Sequence, residues 1–274
     1  MGEGFRDKAR KIYKDVPIEE ASLNTFIGLI ELQSDISKSF SAKFANLDRE
    51  RIREALGAGR PAVEVVDLQL SEEELGTALT RISGYLKEEL SDARDSLTRI
   101  EEAQRSGQLS VLELGQAFLQ GDVGKARAAA WKLEVDQEML EALVAWVMQS
   151  VFQALSESVA EQVGFEGWSS GRCPVCGAFT RVEIEEPAGG TLLHCQFCGA
   201  EWRYSPARCP FCGNEDESSL RVFALEEDER FGVGVCRQCR NYWKIIYEGK
   251  AGADVPRRLY DIWTIKLDLL VSGR

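Results

Sequence analysis

An α+β multidomain architecture is predicted, with an N-terminal all-α helical domain followed by two small tandem β modules. Three observations predict it. All eight cysteines fall between Cys173 and Cys239, arranged as four Cys-x-x-Cys pairs. From about Ile18 to Val163 the apolar residues recur at helical spacing with no cysteine among them. Residues 1–170 hold 19 Lys and Arg against 30 Asp and Glu, so almost all of the net charge of −12 lies ahead of the cysteines. With 274 residues, 44% apolar and 28% charged, the chain can bury ordinary cores, which excludes disordered and collagen-like classes. Its acidic balance repels phosphate backbones and anionic lipid, so no nucleic acid partner is expected.

The N-terminus, MGEGFRDKARKIYKD, carries charges where a secretory signal has an apolar core. No stretch reaches the roughly 18 uncharged apolar residues of a membrane span. A cytoplasmic chain without membrane insertion is the expectation. Helices are predicted over 4–14, 18–46, 48–56, 91–105 and 109–132, with breaks near Pro17, Gly57 to Pro61, Gly107 and Gly121. Ser71 and Glu74 make a capping box for a helix through Leu75, Leu79, Ile82 and Leu86, and Asp136 caps the longest helix, from Leu140 to Val163. The valine-rich stretch Arg60 to Leu70 reads as an extended segment lying across the bundle. Phe26, Trp131 and Trp146, at helical spacings, read as core. Paired catalytic carboxylates, a nucleophile with its base and a phosphate-cradling glycine loop are all missing from this half. Its acidic faces read as solvated surface, a charge that also suits docking of a basic protein segment.

The cysteine segment is a duplication. Eighteen residues separate Cys173/Cys176 from Cys195/Cys198, ten separate that pair from Cys209/Cys212, and 23 separate Cys209/Cys212 from Cys236/Cys239. Arg172-Cys-Pro-Val-Cys-Gly177 matches Arg208-Cys-Pro-Phe-Cys-Gly213, while Trp202-Arg203 and Trp243-Lys244 follow the later pairs at the same offset. A repeat of this length predicts that each half closes its own site, the first pair with the second and the third with the fourth. Strands are expected at Arg181 to Glu185, Thr191 to His194 and Trp202 to Tyr204, then at Arg221 to Leu225, Val233 to Val235 and Tyr242 to Tyr247. Two Cys-x-x-Cys turns at the end of a three-stranded sheet describe a rubredoxin-like or zinc-ribbon module. The predicted boundaries are a helical domain over 1–163, modules over 164–206 and 207–248, and a C-terminal helix within 249–274 packed on the body. Leu259, Trp263, Leu267, Leu270 and Val271 form the stripe of that helix, which starts at Asp254-Val-Pro-Arg.

Reduced cytoplasmic thiols in regular pairs read as metal ligands rather than disulfides. Cys173, Cys176, Cys195 and Cys198 are the first expected site, and Cys209, Cys212, Cys236 and Cys239 the second. Two metal ions per chain are implied, iron or zinc, because tetrahedral sulfur suits either. Four thiolates leave no position for a reactive water, so the sites are read as structural and the protein as no enzyme. Modules of about 40 residues need the metal in order to fold. Gly177, Gly199 and Gly213 let each turn adopt positive φ so that amides face the sulfurs. Arg240 breaks that pattern, which implies strain there or a turn at Asn241. His194 is expected to pack beside a site and support it rather than to ligate. Cys209-Pro-Phe-Cys212 also looks like a thiol-redox pair, but glycine and an acidic turn come after it instead of a helix. Exposed aromatics on a ribbon leave nucleic acid binding open as a lesser alternative.

The sequence resembles the FdhE family. The likeness rests on Gly167-Trp168 leading into Cys173-Pro-Val-Cys-Gly177, on Leu193-His194-Cys195 with Cys198, on Glu201-Trp202, and on Arg208-Cys209 with Cys212. It continues through Cys236, Cys239 and Tyr242 to Tyr247, and in the helical half through Gly59-Arg-Pro61 to Leu75. The resemblance implies a helical domain before two rubredoxin-like modules, with iron preferred. It implies a cytoplasmic, non-catalytic accessory protein for formate dehydrogenase that binds the immature catalytic subunit. A rubredoxin-like electron carrier is the competing class.

Overall fold

Helices occupy the chain up to Gln162, and one sheet organises most of the remaining residues. The computed structural model describes residues 3–252 and 254–273, so the expected segments 1–163 and 249–274 run past the described residues at 1, 2, 253 and 274. Tertiary contacts gather into two units. One holds Asn24–Lys43 and Leu68–Ala154; the other holds the chain up to Leu23, then Phe44–Asp67 and Leu155 onward. Helical residues therefore fall in both.

The helices are α1 (Glu3–Ala9), α2 (Glu20–Phe40), α3 (Arg49–Gly57), α4 (Glu72–Glu89), α5 (Arg94–Arg105), α6 (Val111–Gln120), α7 (Val123–Leu133) and α8 (Gln137–Gln162). Their starts obey local chemistry. Ser71 and Glu74 make the predicted reciprocal capping box on α4. Asp136 accepts the Met139 amide at 2.8 Å at the head of α8. Glu72 lends its carboxylate to a neighbouring helix, accepting the Val111 and Leu112 amides at 2.9 and 3.0 Å, where a negative charge complements the N-terminus of α6. Gly121, at φ +70°, ends α6, and Asp122 caps α7 through the Gly124 amide.

The unit built on α4 to α7 buries a charged pair. Lys87 Nζ lies 2.7 Å from the Glu101 carboxylate, and the Ser83 hydroxyl donates to the same group. Phe26 and Trp146 are half-buried, but Trp131 corrects the expectation of a core residue, being 86% exposed. Helical spacing places it on a stripe, but the face of α7 that carries Trp131 is exposed to solvent. By length and composition α8 is long and apolar enough to cross a membrane, but it carries charged residues and 67% of its most apolar window is buried in the fold, as in a core helix.

The cysteine-bearing segment forms strands β1 (Val182–Glu185), β2 (Thr191–His194), β3 (Glu201–Arg203), β4 (Leu220–Ala224), β5 (Phe231–Cys236) and β6 (Tyr242–Tyr247). Each predicted strand is present within two residues of its expected ends. Each half is an antiparallel meander, but the two halves are not separate sheets. Strand β1 pairs in parallel with β6, Val182 opposite Lys244 and Glu185 opposite Tyr247, giving one six-stranded sheet in the order β3-β2-β1-β6-β5-β4.

The C-terminal segment begins with a 3-10 turn after Pro256 and continues as two short helices, α10 (Tyr260–Trp263) and α11 (Ile265–Ser272); a single turn, α9 (Glu248–Ala251), precedes them. This differs from the one continuous helix that the apolar stripe predicts. The Thr264 hydroxyl bonds the Tyr260 carbonyl at 2.6 Å and competes with regular helix at the break. Leu259, Trp263 and Leu267 are buried as the stripe predicts, whereas Leu270 and Val271 face solvent. Lys244, 1% exposed, anchors these helices through Asp261 and Asp268, the latter at 2.9 Å.

Candidate metal centres

Each Cys-x-x-Cys pair is held by the same turn, written four times. The amide after the second cysteine donates back to the carbonyl of the first: Gly177 to Cys173, Gly199 to Cys195, Gly213 to Cys209 and Arg240 to Cys236, at 2.8–3.0 Å. The first cysteine's amide donates to a carbonyl five residues on, at Ala178, Ala200, Asn214 and Asn241. This geometry requires a left-handed residue after the pair. The φ angles are +75°, +78° and +71° at the glycines and +60° at Arg240, so Arg240 itself carries the strain and Asn241 does not make the turn.

Side chains that the repeat pattern displayed without a role complete the turns. Arg172 Nε donates to the Gly177 carbonyl at 2.8 Å and Arg208 Nε to the Gly213 carbonyl at 3.2 Å. The arginine before each leading cysteine thus clamps its own turn. The Tyr204 hydroxyl, at the end of the first module, donates to the Cys209 carbonyl at 2.9 Å. The segment Arg60 to Leu70, expected across the bundle, instead meets the first turn: the Ala62 and Val63 amides donate to the Pro174 and Val175 carbonyls.

These turns gather the sulfurs in two groups, Cys173, Cys176, Cys195 and Cys198 in one and Cys209, Cys212, Cys236 and Cys239 in the other. Within each, all four sulfur atoms lie within 4.8 Å of one another. Cross-turn separations are 3.4 and 3.5 Å in the first site and 3.6 and 3.7 Å in the second. A tetrahedron with metal–sulfur bonds of about 2.3 Å has edges of about 3.8 Å, so the four sulfurs fit one ion in each site. No disulfide links them. The donor set suits zinc or iron equally.

Charge within the clusters is uneven. Sulfhydryl contacts from Cys173, Cys176 and Cys198 hold the Cys195 thiol well below its usual range, while burial pushes Cys173 and Cys198 well above it. In the second site burial raises Cys236, but the Cys239 and Gln238 amides and two neighbouring thiols outweigh it and bring the group to about 7. Burial raises Cys209 and Cys212. In each cluster one thiol thus ionises easily while two buried or thiol-flanked neighbours, Cys173 and Cys198 in the first and Cys209 and Cys212 in the second, resist. A central cation bound here would supply the charge that lets all four act as thiolates.

The sites differ in cover. Cys173, Cys195 and Cys198 are buried and Cys176 half-buried, whereas in the second site Cys212 is exposed and Cys239 half-buried. Pro61 adds to the cover of the first, its Cγ lying 3.1 Å from where a Cβ on Gly177 would sit. His194, buried on β2, has Nδ1 3.2 Å from Glu201 Oε1, and its ring hydrogen-bonds this carboxylate rather than a sulfur. Burial raises Glu201, but His194 and Arg257 outweigh it and keep the carboxyl below its usual range.

No family model matches the sequence. Among curated proteins, the chain is 28% identical to an FdhE homolog of Aquifex aeolicus over 260 residues, covering 92% of this chain and 84% of the relative. Its similarity to an FdhE homolog thus runs over nearly the whole chain. A homolog from Shewanella baltica strain OS185 is 31% identical over 107 residues, a stretch covering 37% of this chain and 34% of that protein. The crystal structure of the FdhE protein from Pseudomonas aeruginosa aligns with 97% of this chain and 89% of its own at a TM-score of 0.65 and 21% identity, so the two chains share a fold.

Proposed function

We propose that this protein is an accessory factor in the maturation of a formate dehydrogenase, binding the immature catalytic subunit without itself catalysing a reaction. The observation that carries this reading is the similarity to an FdhE homolog across nearly the whole of both chains. Two four-cysteine centres in one sheet add a physical rationale. The second module's core is small, gathering Cys209, Cys236, Trp243 and Ile245, so that metal ligation holds the binding surface in shape. Four thiolates around each ion leave no coordination position for substrate, which suits a scaffold better than a Lewis-acid catalyst.

The test is co-expression with the catalytic subunit of a formate dehydrogenase, with native mass spectrometry and a formate oxidation assay as readouts. A complex that requires the metal-loaded form, and formate oxidation that falls when the accessory chain is withheld, are the expected results. Intact formate oxidation in its absence, together with no complex, overturns the assignment.

A second reading is favoured by the exposed sulfur of Cys212. A solvent-reachable four-thiolate iron suits electron transfer, as in a rubredoxin-like carrier. Reversible reduction of two bound irons with no effect on dehydrogenase maturation would favour it over the accessory role.

A further inference from the structure

A groove between α6, α7 and α8 is a surface feature that the cysteine clusters do not explain. It encloses about 470 Å³, with Leu114, Phe118, Val123 and Val144 among its apolar walls. Exposed apolar side chains gather on two of the helices that form it: Phe118 and Leu119 on α6, then Val123, which is 60% exposed, on α7. Apolar surface of this kind, concave and rimmed by polar groups, marks an interaction site in proteins that otherwise keep such patches small.

Charge decides the occupant. Three carboxylates line the groove, Asp122, Glu138 and Glu141, and no basic residue does; Lys125, Arg127 and Lys132 on α7 stand outside the lining. We propose that the groove binds an amphipathic helical segment of a partner protein whose apolar residues, spaced at i, i+3 and i+4, are flanked by Lys or Arg. Its apolar stripe fills the space between Phe118 and Val144, and its basic flanks meet the acidic rim. The long apolar walls and single-sign rim fit that chemistry better than an acidic peptide, which the three carboxylates repel. This rests on the accessory role only in taking the segment from a protein client. The peptide experiment reads the groove directly, so its failure leaves the dehydrogenase assignment to its own test.

The experiment uses the full, metal-loaded chain and three synthetic probes of about 18 residues: a Leu/Lys peptide with helical apolar spacing, the same spacing with Glu for Lys, and a scrambled Leu/Lys peptide. Fluorescence anisotropy at about 0.15 M salt reads binding, and hydrogen exchange locates it. The Leu/Lys helix is expected to bind at least about tenfold more tightly than the other two and to protect α6 to α8. Val123→Asp, at an exposed first-turn position that tolerates an acidic residue, should weaken binding about tenfold with unchanged circular dichroism. Glu138→Lys with Glu141→Lys should erase the preference for Lys over Glu. Equal binding of the three probes, or tight binding that neither variant changes, overturns the proposal. So does self-association of the chain that Val123→Asp abolishes, since the groove would then be an interface between copies.

Discussion

The Ala62 amide donates to the Pro174 carbonyl at 2.8 Å, placing a helical-region backbone strap directly on the first metal-binding turn. Val63 adds a second bond to Val175, and together they cover a site whose cysteines are already the more buried of the two sets. In the second site the Cys212 sulfur is left open.

That difference predicts the order in which the sites fail. With a chelator or a thiol-alkylating reagent, one metal per chain should leave about tenfold faster than the other, and Cys212 should carry the first label. Peptide mass spectrometry after timed quenching checks it. Release of both ions at one rate, with labels spread over all eight cysteines, contradicts it.

Removing one ligand from each site tests whether the clusters bind as sets of four. Cys195→Ser and Cys236→Ser should each lower metal content by one ion per chain, with weakened β signal in far-UV circular dichroism. A variant that keeps both metals and its full spectrum would show that the substituted sulfur is no ligand.

Arg240 occupies the left-handed position that glycine fills in the other three turns. Arg240→Gly should stabilise the metal-loaded protein by about 1 kcal/mol, since a side chain is disfavoured there by about 1–2 kcal/mol and glycine's greater unfolded freedom offsets part of the gain. Chemical denaturation of the two proteins at equal metal loading reads the difference. A fall in stability would mean that the arginine side chain holds more than the turn costs.

Glu183 is buried in the middle of the sheet, and neither its Oε2 nor the buried Trp243 Nε1 has a partner in hydrogen-bond geometry. Burial raises its carboxyl to about 7, only weakly opposed by the nearby Trp243 indole. The raised group holds its proton in the folded state after the unfolded chain has lost its own, so its contribution to stability falls as pH rises from about 4.5 to about 7 and is level above that. Glu183→Gln should therefore be more stable than the parent at pH 8, by about 3 kcal/mol at most, and the gap should close towards pH 5. A difference that does not change with pH would show that the carboxyl titrates normally.

Lys87 and Glu101 form a buried pair of which the lysine retains some solvent contact. Lys87→Met leaves the carboxylate with the Ser83 hydroxyl and a distant Arg105 at 4.0 Å and should cost about 2–3 kcal/mol, while Lys87→Met with Glu101→Leu should recover most of the loss. Thermal unfolding of both variants reads the coupling. A double-variant loss equal to the sum of the Lys87→Met and Glu101→Leu losses, each measured alone, would make the pair energetically independent.

Much of this architecture is legible in the sequence. Cysteine spacing identifies both clusters because a four-thiolate site demands two tight turns at the end of a short meander, and turn chemistry is local. The capping box at Ser71 and the cap at Asp136 are equally local. Long-range pairing carries what the sequence hides. Nothing in Val182 or Lys244 announces that their strands lie side by side, since a parallel pair leaves no turn between its members. The strap at Ala62 uses backbone amides, which nearly every residue has, so no side-chain pattern marks it. Trp131 is misread as core because helical periodicity finds a stripe but does not tell whether another layer covers it. The clamping arginines, Arg172 and Arg208, are visible as a repeat, and the signal for their role is that repetition itself.

Pairing β1 with β6 also halves the number of free sheet margins. Two independent meanders would present four rows of unpaired amides and carbonyls to solvent, and the fused sheet presents two, on β3 and β4. The margins it removes are the more adhesive ones, bearing Val182, Ile184, Ile245 and Ile246, all buried in the joined sheet. Duplication has thus given each module its shield in the form of the other, and a single module cut free would have a sticky flank in search of a strand.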